Sequence, residues 1–407
     1  MTPESAHPPV LAIASGPART LARLAIVLIA LGLAGSLVTL VGAGGVRRFG
    51  RAYLLGFTFL WVVVLGSLFL VALHHVTGAV WSVVVRRVSE MFAWPMVLVA
   101  VLFLPLLVGG VFFDVFSLYP WAHGSHGAHG QLAPSKELYL NPVFFTVRQV
   151  IYFGVWIFFA RFFVQTSLRQ DRGDGAAALT GRVRGASGPF LFLFAFTATF
   201  ATFDWLMSLD PHWHSTILGV YVFAGMATTA LAVLTLQVLW LRAAGALDRD
   251  LITADHLYNL GGLLFTFSCF WAYIAFSQFM LIWYANLPEE ATFFLRRFAG
   301  PWRSLSILLA VLRFVLPFGL LLSRRAKVDA RILVSVSVLI IVGEFLDLFW
   351  LIGPPPDTGA FVLGLGELGP TLCTTGALLL AVARFLRTHG AVAVGDPDLQ
   401  ASRNFQL

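Results

Sequence analysis

The chain has 407 residues, of which 58% are hydrophobic and 12% are charged, with a formal net charge of +7 and a mean hydropathy of +0.84. Soluble globular domains are about a quarter charged, so this composition excludes an ordinary soluble protein and predicts a membrane protein. The two cysteines, Cys269 and Cys373, are too few for an iron–sulfur cluster, and there is no CxxCH motif for covalent haem.

A helix that crosses a membrane needs about 20 apolar residues, since its backbone polar groups must be satisfied within the segment. Ten such segments predict an all-α polytopic membrane protein. The transmembrane domain is predicted at residues 19–389, between a polar N-terminal tail at 1–18 and a short tail at 390–407. The predicted spans are Leu21–Val41, Tyr53–Ala79, Trp94–Phe113, Val143–Phe163, Phe190–Met207, Ser215–Leu241, His256–Trp283, Ser304–Leu322, Arg331–Leu351 and Phe361–Leu386.

Lys and Arg residues are distributed unequally between the two sides of these spans. If the N-terminus is cytoplasmic, most of the 27 basic residues lie in cytoplasmic segments, among them Arg86, Arg87, Arg324 and Arg325. Basic residues favour that side of a membrane. We therefore predict that both termini are cytoplasmic. The positive net charge is interpreted as a determinant of orientation and not of nucleic-acid binding.

Two of the loops are long. The outer loop Asp114–Asn141 contains WAHGSHGAHG, in which His123, His126 and His129 are of the residue type that binds zinc. The Gly and Ser residues between them fix no geometry, and a fourth ligand is not evident, so we expect no metal site. The inner loop RQDRGDGAAALTGRVRGASG is basic and rich in glycine, which predicts a flexible cytoplasmic linker.

Ionisable residues inside membrane spans are costly, and they usually face a bundle interior or a water-filled cavity. They are therefore the functional candidates in this chain. By depth, the outer half is predicted to hold Arg148, Asp204, Glu344, Asp347 and Glu367, the middle Arg313, and the inner part His74, His75 and Glu90.

The most suggestive of these residues are two acids in the sequence GEFLDLFW. Glu344 and Asp347 are three residues apart, so they share one face of a helix. Two carboxylates this close in a low-dielectric site do not both ionise readily, which predicts that one can bind and release a proton near neutral pH. Glu367 lies at a comparable depth, between two glycines that would let a neighbouring helix approach closely. The alternative is that Arg148 and Arg313 neutralise the acids as structural ion pairs.

His74 and His75 also have two interpretations. Consecutive residues point about 100° apart on a helix, so one ring can face the interior while the other lies at a helix seam. The pair is either a cytoplasmic proton entry or an interfacial polar cap. A b-type haem would need histidines on facing helices at one depth, and only His256, at a helix edge, is otherwise available.

The stretch FDWLMSLDPHWHST joins the fifth and sixth spans and contains no Lys or Arg. Trp205 and Trp213 suit the headgroup layer, where indole rings are enriched. Asp210 followed by Pro211 predicts an N-cap and the first residue of a short surface helix. Asp204 remains as a candidate proton outlet.

This stretch also carries a family resemblance. The run TFATFDWLMSLDPHWHSTILGVYVFAG, with HHVTGAVWSVVVRR after the second span, resembles the second polysulfide-reductase-like (NrfD-like) membrane subunit of bacterial alternative complex III, a quinol:cytochrome c oxidoreductase. The resemblance covers essentially the whole chain, but it assigns no catalytic role to the matching residues. These are His74, Thr77, Gly78, Trp81, Asp204, Trp205, Pro211, His212 and Trp213.

The resemblance implies a multi-pass subunit of the bacterial inner membrane. Its helices would form two four-helix bundles, from spans two to five and six to nine, flanked by the first and last helices. Its implied partners are a paralogous NrfD-like subunit, a large iron–sulfur subunit, haem c subunits, a terminal oxidase in some complexes, and lipids. The iron–sulfur clusters and haem c would belong to those partners. The resemblance implies that quinone or menaquinone can bind to this chain, although the quinol site of the family is assigned most securely to the paralogous subunit.

We therefore predict a membrane subunit that acts as a scaffold and conducts protons during quinol oxidation, with no redox cofactor of its own. Two alternatives stay open, a membrane anchor of a molybdenum-type oxidoreductase and a stand-alone secondary transporter. Transporters often show inverted repeats and broken helices in matching positions, and neither is visible in this sequence. A third alternative is an inert structural subunit in which the buried charges are only paired.

Overall fold

The computed structural model describes residues 15–42, 45–123, 134–173, 176–248, 250–353 and 363–407. All regular secondary structure in these ranges is helical, and ten helices are long and apolar enough to cross a membrane. The prediction of a multi-pass all-α membrane protein is confirmed. We label the helices α1 Ser15–Val41, α2 Gly45–Val76, α3 Val80–Phe112, α4 Pro142–Gln170, α5 Ala177–Leu209, α6 Leu218–Ala243, α7 Ala254–Ala285, α8 Gly300–Leu321, α9 Ala330–Ile352 and α10 Gly366–Thr388.

Helix α3 begins earlier than the sequence predicted. It starts at Val80 and not at Trp94, because three charged residues in its first half are buried inside the protein and paired there. These residues are Arg86, Arg87 and Glu90. A polar stretch that the sequence suggested was a loop is therefore the first half of a helix long and apolar enough to span a membrane.

The prediction of a flexible linker before the fifth span was wrong. Helix α5 begins at Ala177 and not at Phe190, so the glycine-rich segment is helical over most of its length. Each glycine in a helix costs about 1 kcal/mol relative to alanine. Tertiary contacts stabilise this part of α5 and offset that cost. One of them is a 2.7 Å hydrogen bond that Gln170 Nε2, at the end of α4, donates to Thr180 Oγ1.

Helices α1 and α10 pack directly against each other, and both contact α2. Their backbones approach closely because glycine occupies the crossing points, as is common between membrane helices. A Cβ atom on Gly369 would lie 2.5 Å from the backbone nitrogen of Ser36, and one on Gly366 would lie within the side chain of Thr39. The predicted close approach of a neighbouring helix to the Glu367 segment is thus confirmed.

The other eight helices make two sets of contacts. Helix α2 packs against α3 and α5, and α4 packs against the same two helices. Helix α6 packs against α7 and α9, and α8 packs against those two. Contacts between α2 and α6, the two most buried helices, join the sets. Helices α3 and α8 each contain a π-helical turn, at Leu107–Phe112 and Val311–Val315.

The C-terminal tail, residues 390–407, folds back over one end of the helices. It includes the short helix Leu399–Arg403. Ser402 donates a hydrogen bond to the carbonyl oxygen of Trp81 at the start of α3, and its own carbonyl oxygen lies 3.1 Å from the Nε2 atom of His256 at the start of α7. We call this the inner end, since the sequence predicts that it is cytoplasmic.

The segment between α5 and α6 differs from its prediction in two ways. No helix follows Pro211, and Asp210 instead closes a turn in which its carbonyl oxygen accepts a hydrogen bond from Trp213. Trp205 is completely buried among aromatic rings, and Trp213 is buried by stacking on Phe293 at 4.1 Å. Neither indole faces outward as a headgroup belt requires, because both have aromatic partners within the protein.

Candidate functional site: buried ion clusters

The nine ionisable residues that sequence analysis selected as functional candidates are all buried, with at most 6% of each exposed. The structure divides them among four clusters. Arg313, Glu344 and Asp347 form the central cluster, Arg148 and Asp204 a second, and Arg48 and Glu367 a third. Glu90 belongs to a fourth cluster at the inner end, next to His74.

The central cluster lies where α6, α7, α8 and α9 meet. The Nη1 atom of Arg313 is 2.5 Å from Glu344 Oε2 and 2.5 Å from Asp347 Oδ2, so one nitrogen bridges the two carboxylates. Thr229 on α6 donates a 3.1 Å hydrogen bond to Glu344 Oε2. The predicted shared face of Glu344 and Asp347 is confirmed, since one guanidinium reaches both acids.

Two aromatic residues complete the coordination of Asp347. The hydroxyl of Tyr221 on α6 donates to Oδ1 at 2.5 Å, and the Nε1 atom of Trp271 on α7 donates to Oδ2 at 3.2 Å. The guanidinium of Arg313 also lies 4.4 Å from the centre of the Trp271 ring, in cation–π contact. All four helices thus contribute to the cluster.

The local geometry of α8 and α6 makes room for this arrangement. Arg313 lies in the π-helical turn Val311–Val315, a distortion that is often found at functional sites. A Cβ atom on Gly225 of α6 would lie 2.8 Å from Glu344 Oε2, so only glycine permits the carboxylate to sit there. The Nη2 atom of Arg313 has no hydrogen-bond partner among the described residues.

The charge balance of the central cluster is its main chemical feature. Two carboxylates face one guanidinium, and Glu344, Asp347 and Arg313 are only 1–2% exposed. An unpaired charge in such a site costs several kcal/mol, so uptake of one proton by the carboxylate pair is favoured. The cluster is therefore suited to holding a proton that moves between two acids.

The second cluster is balanced. Arg148 on α4 makes a bidentate ion pair with Asp204 at the end of α5, with distances of 2.9 and 2.8 Å. Tyr152 and Gln149 donate further hydrogen bonds to Asp204 Oδ2 at 3.0 and 3.1 Å. Tyr139 covers the guanidinium at 3.8 Å, and burial raises the pKa of its hydroxyl. The carboxylate is thus fully occupied, which makes Asp204 a poor proton outlet.

The inner cluster contains more charges than the sequence suggested. Glu90 Oε2 lies 3.2 Å from Arg87 Nε, and Glu90 Oε1 lies 3.6 Å from Arg86 Nε. Arg86 also pairs with Asp396 of the C-terminal tail, and Arg87 pairs with Asp171 at 2.6 Å. This network ties α3 to the end of α4 and to the C-terminal tail.

His74 lies beside this network and lines a small cavity. Both of its ring nitrogens lack a hydrogen-bond partner among the described residues, although the side chain is buried. His75, Arg184 and Asp398 also line the cavity. His74 therefore faces a polar space and not the lipid.

Glu367 makes a 2.5 Å ion pair with Arg48 of α2 and accepts a 2.9 Å hydrogen bond from the backbone nitrogen of Gly364. It does not join the central cluster, although the sequence predicted a similar depth. The Arg48 side chain is one-third exposed, so this ion pair links α2 to α10 near the protein surface.

The remaining residues of the two family motifs make contacts that stabilise turns, helix ends and packing. Gly78 has a positive φ of 60°, which glycine adopts readily, and it lets the chain turn from α2 into α3. Thr77 caps the end of α2 by donating to the carbonyl oxygen of Leu73. Trp81 packs edge-on against His74. Pro211 accepts a 2.9 Å hydrogen bond from Lys136, and His212 closes the adjacent turn.

Sequence analysis did not find the polar partners of these clusters. Tyr221, Thr229 and Trp271 have no distinguishing signal, since hydroxyl and indole groups are ordinary in membrane helices. Arg297 was also missed. It is buried on the short helix Pro288–Arg297 and donates to the carbonyl oxygens of Trp350 and Leu351 at 2.8 and 2.9 Å, closing the end of α9.

The described residues contain no group of three or more His, Cys, Asp and Glu side chains placed to hold a metal ion. Of the three loop histidines, His126 and His129 lie outside the described residues. No protein-family model matches this chain, and no curated protein sequence matches it significantly. The case for its function therefore depends on the geometry above and on the resemblance in the two sequence runs.

Proposed function

We propose that this chain is a membrane subunit of a respiratory quinol:cytochrome c oxidoreductase, in which it acts as a scaffold and conducts protons through the central cluster. The observation that carries the proposal is the surplus acid: Glu344 and Asp347 share one cation, Arg313, inside the protein. The pair of Arg148 and Asp204, by contrast, has one acid for one base.

The central cluster offers a chemically plain route for a proton. Glu344 Oε2 and Asp347 Oδ2 approach the same Nη1 atom of Arg313, so small side-chain rotations would bring the two carboxyl groups into direct hydrogen-bond contact. A proton leaves the Glu344 oxygen and binds the Asp347 oxygen through that contact, while Arg313 keeps its protons and its charge. The Tyr221 hydroxyl, 2.5 Å from Asp347, and the Thr229 hydroxyl, 3.1 Å from Glu344, extend the hydrogen-bonded path on either side. His74 and Glu90 are the candidates for proton entry at the inner end.

The scaffold role is supported by the helix contacts. The sets α2 to α5 and α6 to α9, with α1 and α10 on one flank, agree with two four-helix bundles and two flanking helices. In the proposed complex, a paralogous subunit, an iron–sulfur subunit and haem c subunits carry quinol oxidation and electron transfer. This chain would add proton movement in the bacterial inner membrane, with both termini cytoplasmic.

The first test is purification of the chain from its native membrane in mild detergent, followed by iron and haem analysis and a quinol:cytochrome c assay. We expect a large assembly that contains haem and oxidises quinol. Recovery with a molybdenum-containing partner would replace the proposal with the anchor alternative. A lone polypeptide without iron or haem would favour a transporter.

The second test addresses the proton role. The Glu344→Gln/Asp347→Asn variant of the complex is reconstituted in vesicles, and protons moved per electron are measured. We expect quinol oxidation to continue with fewer protons moved. The matched control is Asp210→Asn, which removes an exposed carboxylate paired with Arg296. Unchanged stoichiometry in the double variant would leave only the scaffold role.

A further inference from the structure

A second cavity, lined by none of the charged residues of the four clusters, opens at the inner end between the first turns of α3 and α7. It has a volume of about 210 Å³ and is lined by Trp81, Tyr258, Asn259, Gly262 and Leu263. Tyr258 and Asn259 lie in the second turn of α7, and Leu263 lies one turn further along the helix. The cleft is therefore at the depth where membrane helices meet the headgroup layer, if the ten helices span the membrane as predicted.

In the described ranges, this cleft contains one buried hydrogen-bond donor without an acceptor, and two cations lie beside one of its aromatic rings. The Nδ2 atom of Asn259 is buried and has no hydrogen-bond partner among the described residues. Arg324 and Lys327, on the connection between α8 and α9, lie 5.3 and 5.8 Å from the centre of the Tyr258 ring. Neither cation forms an ion pair within the described part of the chain. The cleft thus has a positive edge and an unsatisfied donor, which together favour an anionic acceptor.

Two adjacent glycines on α7 shape the cleft. A Cβ atom on Gly261 would lie 2.8 Å from the carbonyl oxygen of Lys327, so this glycine lets the α8–α9 connection pack directly against α7. The connection carries the two basic residues. A Cβ atom on Gly262 would meet no atom within 4 Å, so this glycine leaves the cleft open. The same helix turn therefore holds the cations in place and keeps space beside them.

We propose that this cleft binds the phosphate of an anionic phospholipid headgroup. A phosphodiester supplies only acceptor oxygens and one negative charge, which match the Asn259 amide and the two cations. The rings of Trp81 and Tyr258 suit the headgroup layer, and Leu263 offers an apolar wall to the start of an acyl chain. Basic pockets between helices on the cytoplasmic side are known sites for acidic lipids.

The proposal is tested on the purified full-length chain after delipidation, by native mass spectrometry during titration with phosphatidylglycerol or phosphatidylcholine. We expect one tight phosphatidylglycerol site and no equivalent site for phosphatidylcholine. The Arg324→Gln/Lys327→Gln variant should bind this lipid about 30-fold more weakly, given the usual contribution of two basic residues near a membrane surface. Gly262→Leu should abolish the site by filling the cleft.

Two control variants separate the cleft from general effects. Arg331→Gln removes a positive charge near the start of α9, and Arg331 is not one of the two cations that contact the Tyr258 ring. Gly319→Leu places a side chain in open space on α8. Both should bind phosphatidylglycerol like the unmodified chain. Equal binding of the two lipids, or equal loss in controls and cleft variants, would overturn the proposal. Displacement by millimolar inorganic phosphate would instead identify a free-phosphate site and overturn the lipid assignment.

Discussion

Replacing Arg313 with glutamine should destabilise the protein more than any other single charge removal in the spans. Arg313 is the shared cation of Glu344 and Asp347, and it lies 4.4 Å from the Trp271 ring. The Arg313→Gln variant therefore leaves two buried carboxylates without a counter-charge and removes a cation–π contact.

The size of the effect follows from the geometry. Removal of one partner from a buried ion pair costs about 3–5 kcal/mol of unfolding free energy, and here two acids lose their partner at once. Loss of the contact with Trp271 adds up to about 2 kcal/mol. We expect at least about 4 kcal/mol for Arg313→Gln. The variant that also carries Glu344→Gln and Asp347→Asn should recover most of this loss, since it leaves no buried charge without a counter-charge.

The measurement is reversible unfolding of the purified chain in mixed micelles, followed by the fluorescence of its 12 tryptophans. Arg148→Gln serves as the comparison, because Asp204 keeps its hydrogen bonds from Tyr152 and Gln149 and should be less affected. A loss below about 1 kcal/mol in Arg313→Gln, or no recovery in the triple variant, would refute the reasoning that the buried acids depend on Arg313 as their counter-charge.

Two other predictions concern the helix ends and seams. Arg297→Met should lower the unfolding free energy by about 2–4 kcal/mol, because it removes charged hydrogen bonds to two carbonyl oxygens at the end of α9. Burial and the neighbouring Arg296 lower the pKa of Arg297 to about 9, so the guanidinium is still charged at neutral pH. Proteolysis near the C-terminal end of α9 should be faster in the variant. An unchanged cleavage rate would count against the capping role of Arg297. Gly369→Leu should separate α1 from α10 and lower the melting temperature in detergent, whereas Gly185→Leu, which meets no atom within 4 Å, should not.

Local sequence was sufficient for the spans and for one feature of the site. A run of about 20 apolar residues crosses a membrane whatever its neighbours are, because the backbone is satisfied within the helix. The shared face of Glu344 and Asp347 is equally local, since it depends only on the helical repeat. These statements need no knowledge of the partner helices.

Partner choice was decided only by the tertiary structure. Arg313 could have paired with any of the buried acids, and the packing of α8 beside α9 gave it two of them while Arg148 received Asp204. Glu367 went to Arg48, because α10 packs against α2. The apolar faces of membrane helices resemble one another, so local patterns hold little information about which faces meet.

The same limit explains the incorrect boundaries. From sequence alone, the first half of α3 was predicted to be a polar loop. In the structure, Asp171 and Asp396, which are distant in sequence, form ion pairs with Arg87 and Arg86 and allow this segment to be a buried helix. Trp205 was likewise predicted to lie at the membrane interface, but the neighbouring helices bury it completely. Sequence by itself therefore determined that this is a membrane protein with ten spans and ionisable groups within them. The tertiary structure decided which of those charges balance and which leave a surplus acid, because that balance depends on distances between separate helices.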